Sequence, residues 1–403
     1  MLKKQILWSL LEKIIKSIVA IITLSLVSKS IAISDFGNYV TLVSLGGVFL
    51  ALTNIGAESL IPKIISNKEN GSEFYLLKIG GMFLFAIIFF ILCRVYYPSI
   101  DIISVLIMLM AFLCYFFNYS EYIANQKGKI ELYSKISIAV QCISLMVKLL
   151  YVHFFDGVII FWLVVFALEY FFTGYLSYIF LDEKISISNI DKNKLGIMAK
   201  NVSYILLSSA TVAAYMRIDT LMISYYLGSD AAGKYFAGSR LSEGVYFIGI
   251  SIANVLYSQT LRNKNKGADY VTKEIKKFMV SLFLLGVAGT VFIHIFSKLL
   301  IDILYGEGFE VSISVLTIHS ISIAFVFIGG YLSRLYINCG YAKKNFRRTF
   351  FSLLMNVALV TFLIPRFGVL GAAYAMVLSQ VFSSFVMFVI DRKFMKRLMI
   401  GDL

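Results

Sequence analysis

Arg217 and Asp219 stand near the middle of an apolar run, in Tyr215-Met216-Arg217-Ile218-Asp219-Thr220. A charge near the centre of a bilayer costs at least about 2.5–3.5 kcal/mol on insertion scales, so each must face a partner or a wet cavity. Residues two apart point to different sides of a helix, so the two cannot fully neutralise one another. Either at least one faces a central cavity, or they pair with another span. Arg240 and Glu243, three apart on one face of the next run, can pair locally without a ligand. Lys148 has no acid three or four residues away. Its long stem can carry the ammonium into a cavity or outward to the interface, and Arg334, about one turn from the end of its run, can snorkel in the same way.

The carboxylates inside runs, besides Asp219 and Glu243, are Glu58, Glu121 and Glu169. Glu169 is the deepest of these three, which makes it either a proton site or the counter-charge of a buried base. Glu169 and Asp219 are therefore the expected ion-coupling residues. His153, His294 and His319 show no metal-ligand spacing and read as interfacial or core residues. Asn54, Asn118, Gln141, Asn254, Asn338, Asn356 and Gln380 read as hydrogen-bonding groups between helices, although a subset facing a cavity would suit a hydroxyl-rich ligand such as a sugar. No phosphate loop of the GxxxxGK[ST] type, no HExxH and no GxSxG occurs, so neither nucleotide-driven work nor a metal or cofactor is expected. The four cysteines, Cys93, Cys114, Cys142 and Cys339, have no CxxC spacing and read as small core residues.

The elements that must position these groups are about twelve apolar runs of roughly 20 residues, each long enough to cross a bilayer core of about 30 Å as a helix. They fall near 14–33, 39–61, 77–97, 102–122, 136–155, 158–181, 202–227, 234–258, 278–297, 312–338, 349–365 and 369–390. A closed barrel would instead show ten-residue alternating strands. Alternate gaps together with both termini hold 28 of the lysines and arginines, Lys78 and Arg348 among them, against five in the remaining gaps: Lys29, Arg94, Lys234, Lys298 and Arg366. By the positive-inside rule both termini are cytoplasmic. The same split accounts for the net charge of +14, which faces anionic headgroups and gives no nucleic-acid signal. The first run continues into a full span with no small-residue cleavage site, unlike a signal peptide.

A polar interruption at 182–201 divides the chain into a six-helix lobe at 1–181 and another at 202–403. An even number of spans per half predicts parallel repeats. Asp35-Phe36-Gly37-Asn38-Tyr39 is echoed by Ala231-Ala232-Gly233-Lys234-Tyr235, and Phe155-Asp156-Gly157-Val158 by Arg366-Phe367-Gly368-Val369, in equivalent places. Glycine there suits a tight outer turn, and tyrosine suits the interface.

The stretch from Arg217-Ile218-Asp219-Thr220 through Leu227-Gly228 and Gly233-Lys234-Tyr235 to Arg240-Leu241-Ser242-Glu243, with Phe36-Gly37-Asn38-Tyr39 and Pro365-Arg366-Phe367-Gly368, resembles the polysaccharide exporter family. That family belongs to the multidrug/oligosaccharidyl-lipid/polysaccharide (MOP) superfamily, and the likeness, strongest to O-antigen flippases of the Wzx type, covers essentially the whole chain. It implies an all-α membrane protein, a V-shaped bundle of two six-helix lobes that opens alternately to each side of a bacterial inner membrane. It implies as substrate an oligosaccharide on undecaprenyl diphosphate. Membrane lipids, a polysaccharide polymerase and a chain-length regulator are the partners such a role brings. A diphosphate crossing low dielectric needs opposing positive charge, so the expected substrate-binding residues are Arg217 and Arg240, carried by the motif, with Lys148 and Arg334. Two competing readings are a cation-coupled multidrug exporter of the same fold, which wants an acidic cavity, and a polymerase or ligase acting on lipid-linked sugars, which wants a large outer loop. The prolines conspicuous in multidrug-exporter spans are missing.

Overall fold

A hydrocarbon environment offers backbone groups no partners, so chain that crosses it must satisfy its own N–H and C=O groups. The computed structural model describes residues 2–67, 71–181, 190–339 and 341–386, and among them every regular element is helical. The chain forms two compact units, Met1–Ala213 and Ala214–Leu403. The first holds α1 (Leu2–Ser30), α2 (Ile33–Thr53), α3 (Ala57–Ser66), α4 (Ser72–Tyr96), α5 (Ile102–Cys114), α6 (Ser120–Gln126), α7 (Ile130–Phe154), α8 (Ile159–Phe180) and nearly all of α9 (Lys192–Tyr215). The second holds α10 (Ile218–Leu227), α11 (Ser229–Arg262), α12 (Ala268–Leu304), α13 (Glu310–Ser320), α14 (Ser322–Asn338), α15 (Ala342–Phe367) and α16 (Val369–Val381). Eight helices among the described residues are long and apolar enough to cross a membrane, or nine if the bent pair α13–α14 counts as one. The chain is a multi-pass helical membrane protein.

The helices map onto the twelve expected runs, but four runs are interrupted. Span two breaks between α2 and α3, where Ile55 and Gly56 take φ of 47° and 63°. Only glycine tolerates that region without strain, so Ile55 is the strained member of the pair. Span four is interrupted by a 3-10 turn, Tyr115–Tyr119, between α5 and α6. Span seven breaks at Met216–Arg217, and span ten bends by 42° between α13 and α14. Each unit thus has an irregularity in its fourth span, a 3-10 turn within a continuous span in the first and a bend in the second. The internal packing also repeats: in each unit the first span packs on the fifth, the second on the third and fourth, and the fourth on the sixth. These shared patterns support the parallel-repeat reading more firmly than the short sequence echoes do.

Some local expectations are corrected. Gly37 and Gly233 lie inside α2 and α11 rather than in turns, and their companions Tyr39 and Tyr235 are buried rather than interfacial. The second echo does fall in turns: Gly157 lies between α7 and α8, where a Cβ would meet the Ser30 carbonyl oxygen at 2.1 Å, and Gly368 lies between α15 and α16. Helix α9 already begins at Lys192, within the segment read as the inter-lobe loop, and residues 182–189 of that loop, with Asn189, lie outside the described residues.

Small residues allow close helix crossings, and one of them carries a clean prediction. A Cβ on Gly238 of α11 would lie 2.6 Å from the Ser312 carbonyl oxygen and 3.0 Å from the Leu316 nitrogen of α13, whereas one on Gly244 meets nothing within 4 Å. Gly238→Ala must push two backbones apart, so it should destabilise the protein by about 1–3 kcal/mol. Gly244→Ala should be neutral or stabilising by up to about 1 kcal/mol, since alanine is the better helix former. Thermal unfolding of the two purified variants checks this, and equal midpoints would remove the α11–α13 crossing as the cause.

Candidate functional site

In the second unit, the break after α9 places Arg217 at the N-cap of α10, with φ −130° and ψ −15°. The residue expected in mid-helix is therefore at a helix junction, where its side chain leaves the chain in a direction that a continuous helix would not give. Its Nη1 donates to Glu243 Oε2 at 3.2 Å, and Arg240 Nη1 donates to the same oxygen at 2.8 Å. Both guanidiniums also lie over the ring of the buried Phe236, at 5.9 and 5.8 Å from its centroid. One carboxylate thus holds two arginines, and the cluster keeps one net positive charge. The arginine side chains are 21% and 33% exposed, against 10% for Glu243. A guanidinium that is partly exposed can present its outer edge to an anionic partner.

Asp219 faces elsewhere, as the two-residue spacing requires. It is buried and accepts from the Tyr235 hydroxyl at 2.9 Å. Nearby in the same unit, Asn356 Nδ2 donates to Ser379 Oγ at 3.2 Å, and Tyr215 Oη meets that oxygen at 3.0 Å. His319, read as interfacial or core, is buried at the end of α13, where its Nδ1 is 2.5 Å from Ser242 Oγ. Tyr246 Oη reaches the same nitrogen at 3.4 Å and Ser322 Oγ at 2.6 Å, so the bend is tied to α11 by a chain of hydroxyls. Arg334 lies apart from this cluster on α14, where its Nε donates to Asn254 Oδ1 at 2.8 Å.

In the first unit, Lys148 does not stand alone. Its Nζ lies 2.5 Å from Glu169 Oε1 and donates to Thr23 Oγ1 at 3.0 Å, and Ser144 Oγ donates to the same Glu169 oxygen. Glu169 is thus the counter-charge of a buried base, one of the two roles its depth allowed. The carboxylate also borders a cleft of about 260 Å³ between α7 and α8, lined otherwise by Ser144 and apolar side chains such as Ile143, Val147, Leu168 and Phe172. A second ionic group joins Glu12 to Lys16 at 2.5 Å, with Ser137 donating to Glu12 at 3.0 Å.

Lys78, assigned by sequence to a cytoplasmic gap, is instead fully buried in α4. Its ammonium donates to the Thr53 carbonyl at 3.3 Å, at the α2–α3 break, and lies 5.8 Å from the centroids of Tyr115 and Tyr119 in the 3-10 turn of span four. One lysine therefore joins both span interruptions of its unit. The sequence signal was its distance from Gly71: seven residues on, Lys78 is about two turns inside the helix that follows. Among the described residues no group of three or more His, Cys, Asp or Glu converges to hold a metal, and all four cysteines are free thiols.

These features define a multi-pass helical membrane protein whose two units each carry buried ion clusters. Solved structures with the same architecture are transporters of the MOP superfamily. A multidrug resistance MATE family transporter in an inward-facing conformation matches with a TM-score of 0.72 at 15% identity, covering 94% of each chain. The lipid II flippase MurJ in an inward closed conformation matches with a TM-score of 0.74 at 15% identity, covering 98% of this chain and 90% of that one. A MOP superfamily transporter from Pyrococcus furiosus, described as having a binding pocket of reversed polarity, matches with a TM-score of 0.65 at 14% identity over 98% and 95%. No curated protein matches by sequence. A family profile described as "Polysaccharide biosynthesis protein" matches residues 11–314, and the chain belongs to that family.

Proposed function

We propose that this protein flips undecaprenyl-diphosphate-linked repeat units of O-antigen or a related surface polysaccharide from the cytoplasmic to the periplasmic leaflet of a bacterial inner membrane, by alternating access and coupled to an ion. The observation that carries this reading is the sharing of one carboxylate, Glu243, by two partly exposed arginines, Arg217 and Arg240, in a polysaccharide biosynthesis protein with a transporter fold. Lys148 and Arg334 complete the proposed substrate-binding set, and the lobes 1–181 and 202–403, joined by 182–201, are the moving parts. A multidrug exporter of the same fold remains the second reading, favoured by Glu169, whose carboxylate borders an apolar cleft of the kind that suits an organic cation.

With no nucleotide motif in the chain, directional movement must draw on an ion gradient or on downstream consumption of the flipped lipid. Asp219 and Glu169 are the proposed ion-coupling carboxylates, and Asp219 is the better placed: it accepts from the uncharged Tyr235, whereas Glu169 is already held by Lys148. Purified protein in liposomes should move protons only when lipid-linked oligosaccharide is present. Asp219→Asn should uncouple the two fluxes. Transport and its pH dependence unchanged in both Asp219→Asn and Glu169→Gln would place the driving force elsewhere, and export of cationic dyes without response to lipid-linked sugar would favour the second reading.

Orientation has its own check. The charge split predicts that position 189 faces the cytoplasm and position 156 the periplasm. Cysteine at 156 should react with an impermeant maleimide added to spheroplasts, while cysteine at 189 stays silent; strong labelling at 189 would invert the topology.

A further inference from the structure

Residues 311–390 contain no aspartate or glutamate at all, yet they carry Arg334, Lys343, Lys344, Arg347, Arg348 and Arg366. Four of these six cations fall in the first two turns of α15, at the positive end of the helix macrodipole. That end has no acid in its first turn and no side-chain cap hydrogen bond. Positive charge is thus concentrated where the backbone already opposes it. The positive-inside rule accounts for Lys343, Lys344 and Arg347, which lie at the helix start. It does not account for Arg348, which is only 7% exposed. Its Nη2 donates to the Gly329 carbonyl on α14 at 3.2 Å, and its guanidinium lies 6.0 Å from the Tyr336 ring centroid. The other two nitrogens, Nε and Nη1, have no hydrogen-bond partner. No carboxylate lies within ion-pair distance of it among the described residues. A buried guanidinium with two of its three nitrogens unanswered is among the costlier arrangements a protein can hold, and arginine's fork matches a phosphate better than any other anion common at a membrane.

We propose that the α14–α15 hairpin is a phosphate-binding site, in which Nε and Nη1 of Arg348 grip the phosphoryl oxygens while the N-terminus of α15 and its exposed cations neutralise the remaining charge. The occupant is a phosphoryl group, borne either by an anionic lipid headgroup or by a free or substrate-borne diphosphate. The site shares no residue with the Arg217 cluster and does not rest on what that cluster transports.

Thermal unfolding of the full chain in nanodiscs tests it. In discs of phosphatidylcholine, inorganic pyrophosphate should raise the wild-type midpoint by about 3 °C over sodium chloride of matched ionic strength. Arg348→Gln should lose that rise, Arg348→Lys should keep part of it, and Arg366→Gln, which removes an exposed charge at the far end of the same helix, should keep it all. In discs containing phosphatidylglycerol, a wild-type midpoint that is already raised, with no further response to pyrophosphate, identifies a lipid headgroup as the occupant; an undiminished response identifies a diphosphate. The proposal is overturned if pyrophosphate does no more than chloride for the wild type. It is also overturned if Arg348→Gln responds as the wild type does, because the exposed lysines alone would then explain the binding. Should Arg348→Gln fail to fold, a full wild-type response in Arg348→Lys overturns it by the loss of any need for the fork. Export is not read in this experiment, so a failure of the transport reading leaves the site standing.

Discussion

Arg217→Ala should abolish surface polysaccharide while leaving the protein inserted and folded. The second half of that expectation comes from the geometry: once Arg217 is removed, Glu243 still holds Arg240 at 2.8 Å, so no buried carboxylate is left without a partner. The first half comes from charge, because the remaining pair is neutral and offers nothing extra to a diphosphate. A charge-assisted hydrogen bond contributes about 1.5–3 kcal/mol, so export should fall by roughly 10- to 100-fold or more. Arg217→Lys should rescue it only in part, since an ammonium keeps the charge and loses the fork. Quantitative blotting of surface polysaccharide against membrane-inserted protein checks both halves. Wild-type polysaccharide in Arg217→Ala would reduce the cluster to an interhelical ion pair.

The second large effect concerns Lys148 and Glu169, whose side chains are 4% and 16% exposed. Breaking a buried pair by removing one partner typically costs about 3–5 kcal/mol, because the other charge stays behind without compensation, whereas removing both together is often neutral. Lys148→Met and Glu169→Leu should therefore each reduce the yield of folded protein severely, and the double variant should restore it. The cycle also separates structure from function. If the restored double variant exports normally, the pair serves the α1–α7–α8 packing alone; if it accumulates but does not export, the ammonium or the carboxylate acts in transport. Single variants as stable as the wild type would contradict the ion pair itself.

The two experiments treat residues that the sequence presents alike, as charges inside apolar runs, and the structure separates them by partner. Lys148 has no acid within reach along its own helix, and its partner lies 21 residues away on α8. Periodicity describes one helix at a time, so it could show that Glu169 was deep enough to answer a base without showing which base. Arg240 and Glu243 were legible because three residues on one helix face is a local relation. That Arg217 joins them was not legible, since it depends on a break in span seven that nothing in Tyr215-Met216-Arg217-Ile218 announces; neither glycine nor proline is present.

What the sequence determined by itself was the class: apolar runs of bilayer length fix the helices, and alternating lysine and arginine predicts their direction, because both follow from the transfer of single side chains between water and lipid. It also determined most of the span positions. The tertiary structure alone decided where four spans are interrupted and which buried charges meet. It alone moved Lys78 and Arg348 from the expected surface into the interior. Those outcomes depend on packing between helices far apart in the chain, where a carbonyl such as Thr53, at a helix break, is met by an ammonium 25 residues away. Desolvation acts on the assembled interior, and the order of residues along one helix carries no record of it.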